Sequence, residues 1–314
     1  MLAARVDLLS QMLTLVQLEG ELVFSATMTA PWAIRFPAGS AHFYMVTEGE
    51  IVVQVGDEAP VRAGAGDLVM LPHGTGHVLG DGSGAEVALV TRLMEEQFTA
   101  DRLSLRHGGN GASSVLMAGA FHFKNNSVPW VVSGLPPIIH LPKEGGEFSA
   151  MLEGLAHFML AEAYEVNPGA SLMISRLIDV LVIRILRTWA QSEKANSAGW
   201  LGALSDGRIS RALKAIHDEP FRRWSVVDLA TIAGMSRSSF AERFAMLVKE
   251  PPLAYQSRWR LTLAYEALQR GDARVSDVAR QVGYESDAAF SRAFKTQFGI
   301  APVQARDAAH RGGV

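Results

Sequence analysis

Apolar and polar positions follow two different periods along the chain. Between residues 22 and 91, short apolar runs alternate with clusters of Gly, Pro and Asp about every 8–12 residues, a spacing typical of an all-β sandwich or barrel. The runs that predict strands are residues 22–28, 42–46, 51–55 and 67–71. Residues 1–20 instead carry apolar side chains at helical spacing, which predicts a short amphipathic helix ahead of the strands.

The remainder of the chain is mostly helical in pattern. Residues 148–164 and 172–190 predict two helices, which are separated by the turn sequence Asn167-Pro168-Gly169. A polar stretch with Gly and Ser follows and predicts a linker that extends to residue 207. Helical spacing then continues nearly to the end. The predicted fold class is therefore α+β, with a β-rich N-terminal part and an all-α C-terminal part.

The C-terminal part contains an internal repeat. Asp228-Leu229-Ala230 recurs 49 residues later as Asp277-Val278-Ala279, and Gly234 recurs as Gly283. After one inserted residue the offset is 50, and four further pairs match: Ser236 and Ser286, Phe240 and Phe290, Phe244 and Phe294, and Pro252 and Pro302. A helix that ends at Gly, followed by a Ser able to cap a second helix, predicts a helix-turn-helix unit. The chain has two such units.

One long helix, over residues 253–270, is predicted between the two copies. About 18 residues span roughly 27 Å at the rise of an α-helix. With the turns added, the second helices of the two units would lie about 34 Å apart, the spacing of successive major grooves on one face of DNA.

The composition is that of a globular protein of about two domains, with 314 residues, 48% apolar and 19% charged. The chain has no cysteine, which excludes disulfides, cysteine-ligated metal sites and thiol nucleophiles. No run of about 18 uninterrupted apolar residues is present, and the N-terminus lacks the pattern of an export signal. We therefore expect a cytoplasmic protein with no membrane partner.

Charge is divided unevenly between the two parts. The residues from Ser205 to the end include 17 Lys and Arg and 12 Asp and Glu, which gives a net charge of +5. The residues before Ser205 include 12 Lys and Arg and 20 Asp and Glu, which gives a net charge of −8. Such asymmetry indicates that the C-terminal part binds a polyanion.

The second copy carries a long motif. From Val278 to Lys295 it reads VARQVGYESDAAFSRAFK, and FGIAP follows at residues 298–302. With the first copy, this motif resembles the DNA-binding domain of the AraC/XylS family of bacterial transcription regulators, over about residues 209–306. Two positions depart from the family pattern: Lys249 stands where Gly is usual, and Ala305 where Tyr is usual. The resemblance implies double-stranded DNA as a partner, and RNA polymerase as a further one.

The inward-facing phenylalanines leave a set of outward residues as candidate DNA contacts. These are Arg237, Ser238, Ala241, Glu242 and Arg243 on the first helix, and Ser286, Asp287, Ala288, Ser291, Arg292 and Lys295 on the second. Arg292 is the predicted base reader, because a guanidinium matches guanine O6 and N7. Arg237 and Lys295 are predicted to bind phosphates. Glu242 either accepts a hydrogen bond from cytosine N4 or pairs with Arg237 or Arg243.

The N-terminal part resembles the cupin β-barrels. Gly66-(x)5-Pro72-x-Gly74-(x)2-His77-(x)3-Asp81 is similar to their second conserved motif, and Gly39-(x)2-His42-x-Tyr44-(x)3-Glu48 to their first. In metal-binding cupins these motifs supply three His and one Glu. Here His42, Glu48 and His77 match ligand positions, whereas Tyr44 replaces the second His. Two interpretations stay open: a divalent metal held by His42, Glu48 and His77, with His73 or His107 completing the shell, or a metal-free effector pocket lined by His42, Tyr44, Glu48 and His77.

Together the two resemblances imply an AraC-type regulator with a cupin sensor. The predicted domains are a cupin-like sensor (1–148), a helical packing and dimerisation segment (149–192), a linker (193–207), a double helix-turn-helix domain (208–306) and a tail (307–314). The function implied is sequence-specific transcription regulation in response to a small-molecule effector. The alternative is a metal-dependent cupin enzyme with a helical assembly domain, and Tyr44 counts against it.

The helix predicted at residues 172–190 is apolar nearly all round. One interpretation is complete burial against the barrel. The other is that one flank also contacts the same helix of a second subunit, and on this ground we expect a homodimer.

Overall fold

The computed structural model describes residues 9–10, 12, 18–99, 103–123, 132–143, 147–164, 167–191, 202–270 and 273–311. The chain divides into two compact units. The N-terminal unit comprises Gln17–Lys124 and Leu135–Trp189, and the C-terminal unit includes Ala190–Val314.

The described strands of the N-terminal unit form two sheets. One has the order β11-β6-β3-β10-β1-β9 and the other β5-β4-β7-β2-β8. The strands are β1 (Leu18–Thr29), β2 (Ala33–Phe36), β3 (Ala41–Glu48), β4 (Glu50–Val55), β5 (Val61–Gly64), β6 (Leu68–Leu71), β7 (His77–Gly80), β8 (Val87–Leu89), β9 (Ser104–Gly108), β10 (Ser113–Phe123) and β11 (Ile139–Leu141).

The expected closed barrel is wrong in one respect, because hydrogen bonding is not continuous between the two sheets. The unit is held instead by apolar faces that pack against each other. Phe24, Tyr44 and Val69 of the first sheet share one buried cluster with Ile51 and Leu79 of the second. Burial of apolar side chains from both sheets stabilises their packing, so backbone hydrogen bonds between the sheet edges are not needed.

The helices described in this unit are α1 (Val90–Gln97), α2 (Glu147–Tyr164) and α3 (Ala170–Gln191), of which α3 runs two residues past the end of the unit. The α2 and α3 helices lie close to their predicted positions and contact β1, where Tyr164 Oη is 2.5 Å from Ser25 Oγ and Ser175 Oγ accepts a hydrogen bond from Gly20 N. A Cβ at Gly20 would lie 2.4 Å from Ile178 Cδ1, so only glycine permits this approach. The described helices include none long and apolar enough to cross a membrane.

The helix predicted at residues 1–20 is wrong for its last three residues, because residues 18–20 form the start of strand β1. Strand pairing of Leu18 with Phe123 overrides the local helical spacing there. Of the rest of this prediction, all but residues 9, 10 and 12 lies outside the described part of the chain.

The C-terminal unit is helical throughout its described residues. Its helices are α4 (Ile209–Asp218), α5 (Val226–Ala233), α6 (Arg237–Val248), α7 (Pro252–Gln269), α8 (Val275–Gln281), α9 (Asp287–Phe298) and α10 (Pro302–Arg311). Two helix-turn-helix pairs, α5–α6 and α8–α9, are present on either side of the long helix α7, as the repeat predicts. The α7 helix has 18 residues, a length of about 27 Å.

The unusual Lys249 takes the backbone conformation that its position demands. It ends α6 with a φ of +67°, and the equivalent Gly299 ends α9 with a φ of +74°. The left-handed conformation costs a residue with a Cβ about 1–2 kcal/mol. Lys249 therefore carries strain that Gly299 does not.

We predict that Lys249→Gly raises the free energy of unfolding of the C-terminal unit by about 0.5–1 kcal/mol. The gain is the relief of left-handed strain, less the greater entropy of glycine in the unfolded chain. Amide hydrogen exchange of α6 and α7 in the full chain measures it. The matched change Gly299→Ala should destabilise α9 by a similar amount. No atom lies within 4 Å of a Cβ at this position, so the left-handed backbone strain is the only cost of the added methyl group. Faster exchange in Lys249→Gly would contradict this.

Candidate functional site

The first helix-turn-helix pair is defined by its caps. Ser225 Oγ accepts a hydrogen bond from Asp228 N, and the Asp228 carboxylate accepts one from Ser225 N at 3.0 Å, so α5 begins with a reciprocal capping box. The helix ends at Gly234 in the left-handed conformation, with a φ of +67°. Ser236 Oγ then caps α6 by accepting from Ser239 N. These local signals fix where the second helix begins.

The second pair is built in the same way. Gly283 has a φ of +87° in the turn, and Ser286 Oγ accepts a hydrogen bond from Ala289 N at 3.2 Å. Ser286 was a candidate DNA contact, and the structure gives its hydroxyl a capping role at the start of α9.

Fully buried phenylalanines fix the orientation of both second helices. Phe240 and Phe244 on α6, and Phe290 and Phe294 on α9, have no exposed surface. The candidate DNA contacts consequently lie on the outer surface. Exposed are Arg237, Ser238, Glu242, Arg243, Ser286, Asp287, Ala288, Arg292 and Lys295, and half-buried are Ala241 and Ser291.

Ion pairing separates the basic candidates into two groups. Arg243 is held by Asp206, with its Nε 2.6 Å from the carboxylate, and Asp206 also accepts a hydrogen bond from Ile209 N at the start of α4. Burial opposes ionisation of Asp206, but these hydrogen bonds outweigh it and lower its pKa. By contrast, Arg237, Arg292 and Lys295 form no ion pair with any described residue. Arg243 is thus tied to the protein, while the other three are available to a ligand.

The repeat is longer than the sequence motif indicated, because it includes the helix before each pair. Arg211 on α4 and Arg260 on α7 are 49 residues apart, the same offset as the glycines of the turns. Arg211 donates hydrogen bonds to the carbonyl groups of Ile232 and Ala233, at 3.2 and 2.9 Å. Extending the offset of 49 upstream of Asp228 would have found this pair in the sequence.

In the N-terminal unit, His42, Tyr44 and His77 lie close together. Tyr44 Oη is 2.5 Å from His77 Nε2, and the rings of His42 and His77 are 5.1 Å apart. Phe36 stacks on His77 at 4.8 Å. His77 Nδ1 is also hydrogen-bonded to the Thr75 carbonyl at 3.3 Å. The cluster is therefore a buried aromatic group that contains polar but uncharged side chains.

Burial determines the charge of this cluster. Burial lowers the pKa of His42 to about 4, and burial together with the neighbouring His42 lowers the pKa of His77 to about 3. Burial also raises the pKa of Tyr44. All three side chains are uncharged at neutral pH.

Glu48 does not join the cluster. It is exposed, and it lies six residues from His42 along β3, which is about 20 Å in an extended strand. Among the described residues, no three His, Asp or Glu side chains are placed to hold a metal ion. The predicted set of His42, Glu48 and His77 is therefore not brought together as a metal site.

The two histidines expected to complete a metal shell have other surroundings. His73 Nε2 is hydrogen-bonded to the Leu135 carbonyl at 3.0 Å, and His107 lies on β9 opposite Met28.

A different polar group lies beside His42. Ser40 Oγ donates a hydrogen bond to Glu21 Oε2 at 2.6 Å, and His122 Nε2 is 2.5 Å from Glu21 Oε1. Both Glu21 and His122 act electrostatically on the pKa of His42. No local sequence signal marks this group, because Glu21 sits at a register shift in β1 and its partner is 101 residues away.

Comparisons with known proteins agree with both halves of this architecture. The family described as Cupin matches residues 7–191, and the family described as Helix-turn-helix domain matches residues 229–308. A protein of Streptomyces lividans named as an AraC-like transcription regulator is 31% identical over 94% of this chain and 96% of its own length. The chain belongs to the AraC-type transcriptional regulators that carry an N-terminal cupin domain. It is a DNA-binding regulator, and the alternative of a cupin enzyme is not supported by these relatives.

Two further proteins are similar to this chain over most of its length. The transcriptional regulator AlkR of Acinetobacter baylyi is 30% identical over 88% of this chain and 90% of AlkR. Among solved structures, ToxT of Vibrio cholerae has a TM-score of 0.37 at 10% identity, over 93% of this chain and 99% of ToxT.

We predict that the imidazoles of His42 and His77 stay neutral at pH 5.5 in the folded protein. Both pKa values are lower folded than unfolded, so the unfolded chain binds more protons below about pH 6.5. The free energy of unfolding should consequently fall as the pH drops from about 6.5 towards 4, by up to about 1.4 kcal/mol per pH unit for each histidine. Nitrogen-15 NMR of the imidazole rings reports the protonation state directly. An imidazolium signal from either ring at pH 5.5 would contradict the prediction.

Proposed function

We propose that α6 and α9 enter two successive segments of the DNA major groove and read an operator. The observation that carries the proposal is the free, exposed state of Arg237, Arg292 and Lys295 on helices whose opposite faces are anchored by buried phenylalanines. A rigid helix with unpaired cations on its outer face suits phosphate and base-edge contacts.

The two helices carry opposite charges at equivalent positions. Arg237 at the start of α6 corresponds to Asp287 at the start of α9, and Glu242 corresponds to Arg292, both at the offset of 50. An acidic side chain accepts from cytosine N4, whereas Arg donates to guanine O6 and N7. We therefore propose that the two half-sites differ in sequence, with Glu242 and Arg292 as the residues that distinguish them.

The remaining candidates take supporting roles in this proposal. Arg237 and Lys295 bind phosphates, and Ser238, Ala241, Asp287, Ala288 and Ser291 line the groove. Arg243 and Ser286 act through the protein, by the ion pair to Asp206 and by the helix cap.

We predict that Arg292→Ala weakens binding to the preferred operator by about 1–3 kcal/mol and relaxes the preference at one base pair. Lys295→Ala should weaken binding to all sequences alike and reduce the salt dependence by about one counterion. Selection of duplexes from a random pool, followed by titration at several salt concentrations, measures both effects.

Arg243→Ala is the matched control. It also removes a cation from α6, but the side chain of Arg243 is already paired with Asp206 and is not available to a base. It should leave base preference unchanged. If Arg292→Ala and Lys295→Ala have the same effect on every sequence, the proposed division between base reading and phosphate binding is wrong.

For the N-terminal unit, we propose that an effector binds at the cluster of His42, Tyr44 and His77. Neutral imidazoles and a phenol can exchange hydrogen bonds with a ligand without placing a charged group in the buried cluster. Glu21 and His122 would add polar contacts at its side. Binding would favour one of two arrangements of the DNA-binding units.

The domain roles follow from this scheme and are proposals. Residues 1–148 sense the effector, 149–192 pack and dimerise, 193–207 link, 208–306 bind DNA and 307–314 form a tail. The regulator would work in the cytoplasm with RNA polymerase as a further partner.

The α3 helix supplies a candidate dimer surface. Its inner face is buried, at Ile178, Leu181 and Ile185, while Val180 is 53% exposed and Leu172 is 61% exposed. Apolar side chains that stay exposed on an otherwise buried helix favour contact with a second copy.

We predict that Val180→Glu converts the dimer to a monomer, because a charge placed in the apolar contact stays unpaired there. Sedimentation of the full chain measures the mass in solution. Gln191→Glu, at an exposed position on the same helix, is the control because it also adds one negative charge. A mutant that sediments as the wild type does would place the interface elsewhere.

A further inference from the structure

The two helix-turn-helix pairs are tied to each other by a side chain outside both second helices. Arg223 lies in the segment between α4 and α5, next to the start of the first pair. Its Nη2 donates hydrogen bonds to the Gly283 carbonyl at 2.9 Å and to Glu285 Oε1 at 3.0 Å. Both acceptors belong to the turn of the second pair, immediately before the cap of α9. The hydrogen bond from Arg223 to Gly283 thus joins residues 60 positions apart in the sequence, and its acceptor lies just before the start of α9.

Arg260 makes a second tie to the same segment. It is buried on α7, and its guanidinium donates to the carbonyl groups of Pro220, at 2.7 Å, and Arg222. Both carbonyl groups belong to the three residues that directly precede Arg223. The equivalent Arg211 uses its guanidinium differently, because it bonds to Ile232 and Ala233 at the end of α5 in its own repeat.

We propose that Arg223 is a positioning residue that fixes the orientation of α9 relative to α6. Phe244 of α6 contacts Tyr255 of α7, and Phe294 of α9 stacks on Tyr265 of the same helix, so α7 is the shared support of α6 and α9. Arg223, on a segment that Arg260 holds, adds a second restraint at the start of α9. This inference rests on the proposed function, in which both helices contact one duplex.

The consequence for DNA is a restricted spacing. One added base pair between half-sites moves the second half-site by 3.4 Å and rotates it by about 34°. A rigid pair of readers tolerates this poorly, while a pair joined only by α7 adapts. Arg223 therefore determines how strictly the protein selects operator spacing.

The chain offers a direct measurement of this restraint, since it has no cysteine. Met246→Cys and Thr296→Cys place spin labels at exposed, equivalent positions of α6 and α9. Double electron–electron resonance on the full chain gives their distance distribution without DNA. In Arg223→Ala we expect a distribution clearly broader than that of the wild type.

Arg222→Ala is the matched control. Arg222 is adjacent, pairs with Glu219 and lies over the Trp224 ring, and it makes no side-chain contact with the second pair among the described residues. It should keep the narrow distribution. The double variant Arg223→Glu with Glu285→Arg, which reverses the ion pair, should have a distance distribution narrower than that of Arg223→Ala. A distribution in Arg223→Ala identical to that of the wild type overturns the proposal.

The second measurement uses a duplex that the wild-type chain selects from a random pool, together with forms that have one base pair inserted or removed between the half-sites. We expect the wild type to lose about tenfold or more in affinity on the altered forms, and Arg223→Ala to lose several-fold less. A uniform loss at every spacing, with a salt slope lower by about one, would identify Arg223 as a phosphate contact and overturn the proposal. If the wild type selects no sequence, the proposed function fails, and the label distances still decide whether Arg223 restrains the helices.

Discussion

The complete burial of the phenylalanine face of α6 and of α9 is the constraint on which the rest of the C-terminal unit depends. Phe240 and Phe244 fix the rotation of α6 about its axis, and Phe290 and Phe294 do the same for α9. A helix that is fixed in this way must present the residues between its phenylalanines to solvent. The exposure of Glu242 and Arg292 is therefore a consequence of packing, and the side chains at these two positions can vary without disturbing the core.

The N-terminal unit follows a different principle. Its two sheets share a core without sharing a ladder, and polar side chains that enter this core lose their charge. His42 and His77 are neutral for this reason, and Tyr44 occupies the place of a metal-binding histidine. The exposed Glu48 lies outside this cluster, and the described residues contain no group of three His, Asp or Glu placed to hold a metal ion.

Features encoded over a few residues could be predicted from the sequence. The left-handed glycines, the serine caps and the inward phenylalanines repeat at fixed offsets, and each is dictated by local backbone geometry. Long-range contacts could not be predicted in this way. Glu48 matched a motif but lies at the far end of a strand, whereas Glu21 reaches His122 only because β1 and β10 pair. The ion pair of Arg243 with Asp206 likewise depends on how α4 packs against α6.

The proposal that α6 and α9 engage one face of a DNA duplex can be tested by hydroxyl-radical footprinting of the full chain on a selected duplex. We expect two protected segments on the same face of the duplex, with their centres about 10–10.5 base pairs apart. A single protected segment, or two segments on opposite faces of the duplex, would contradict it.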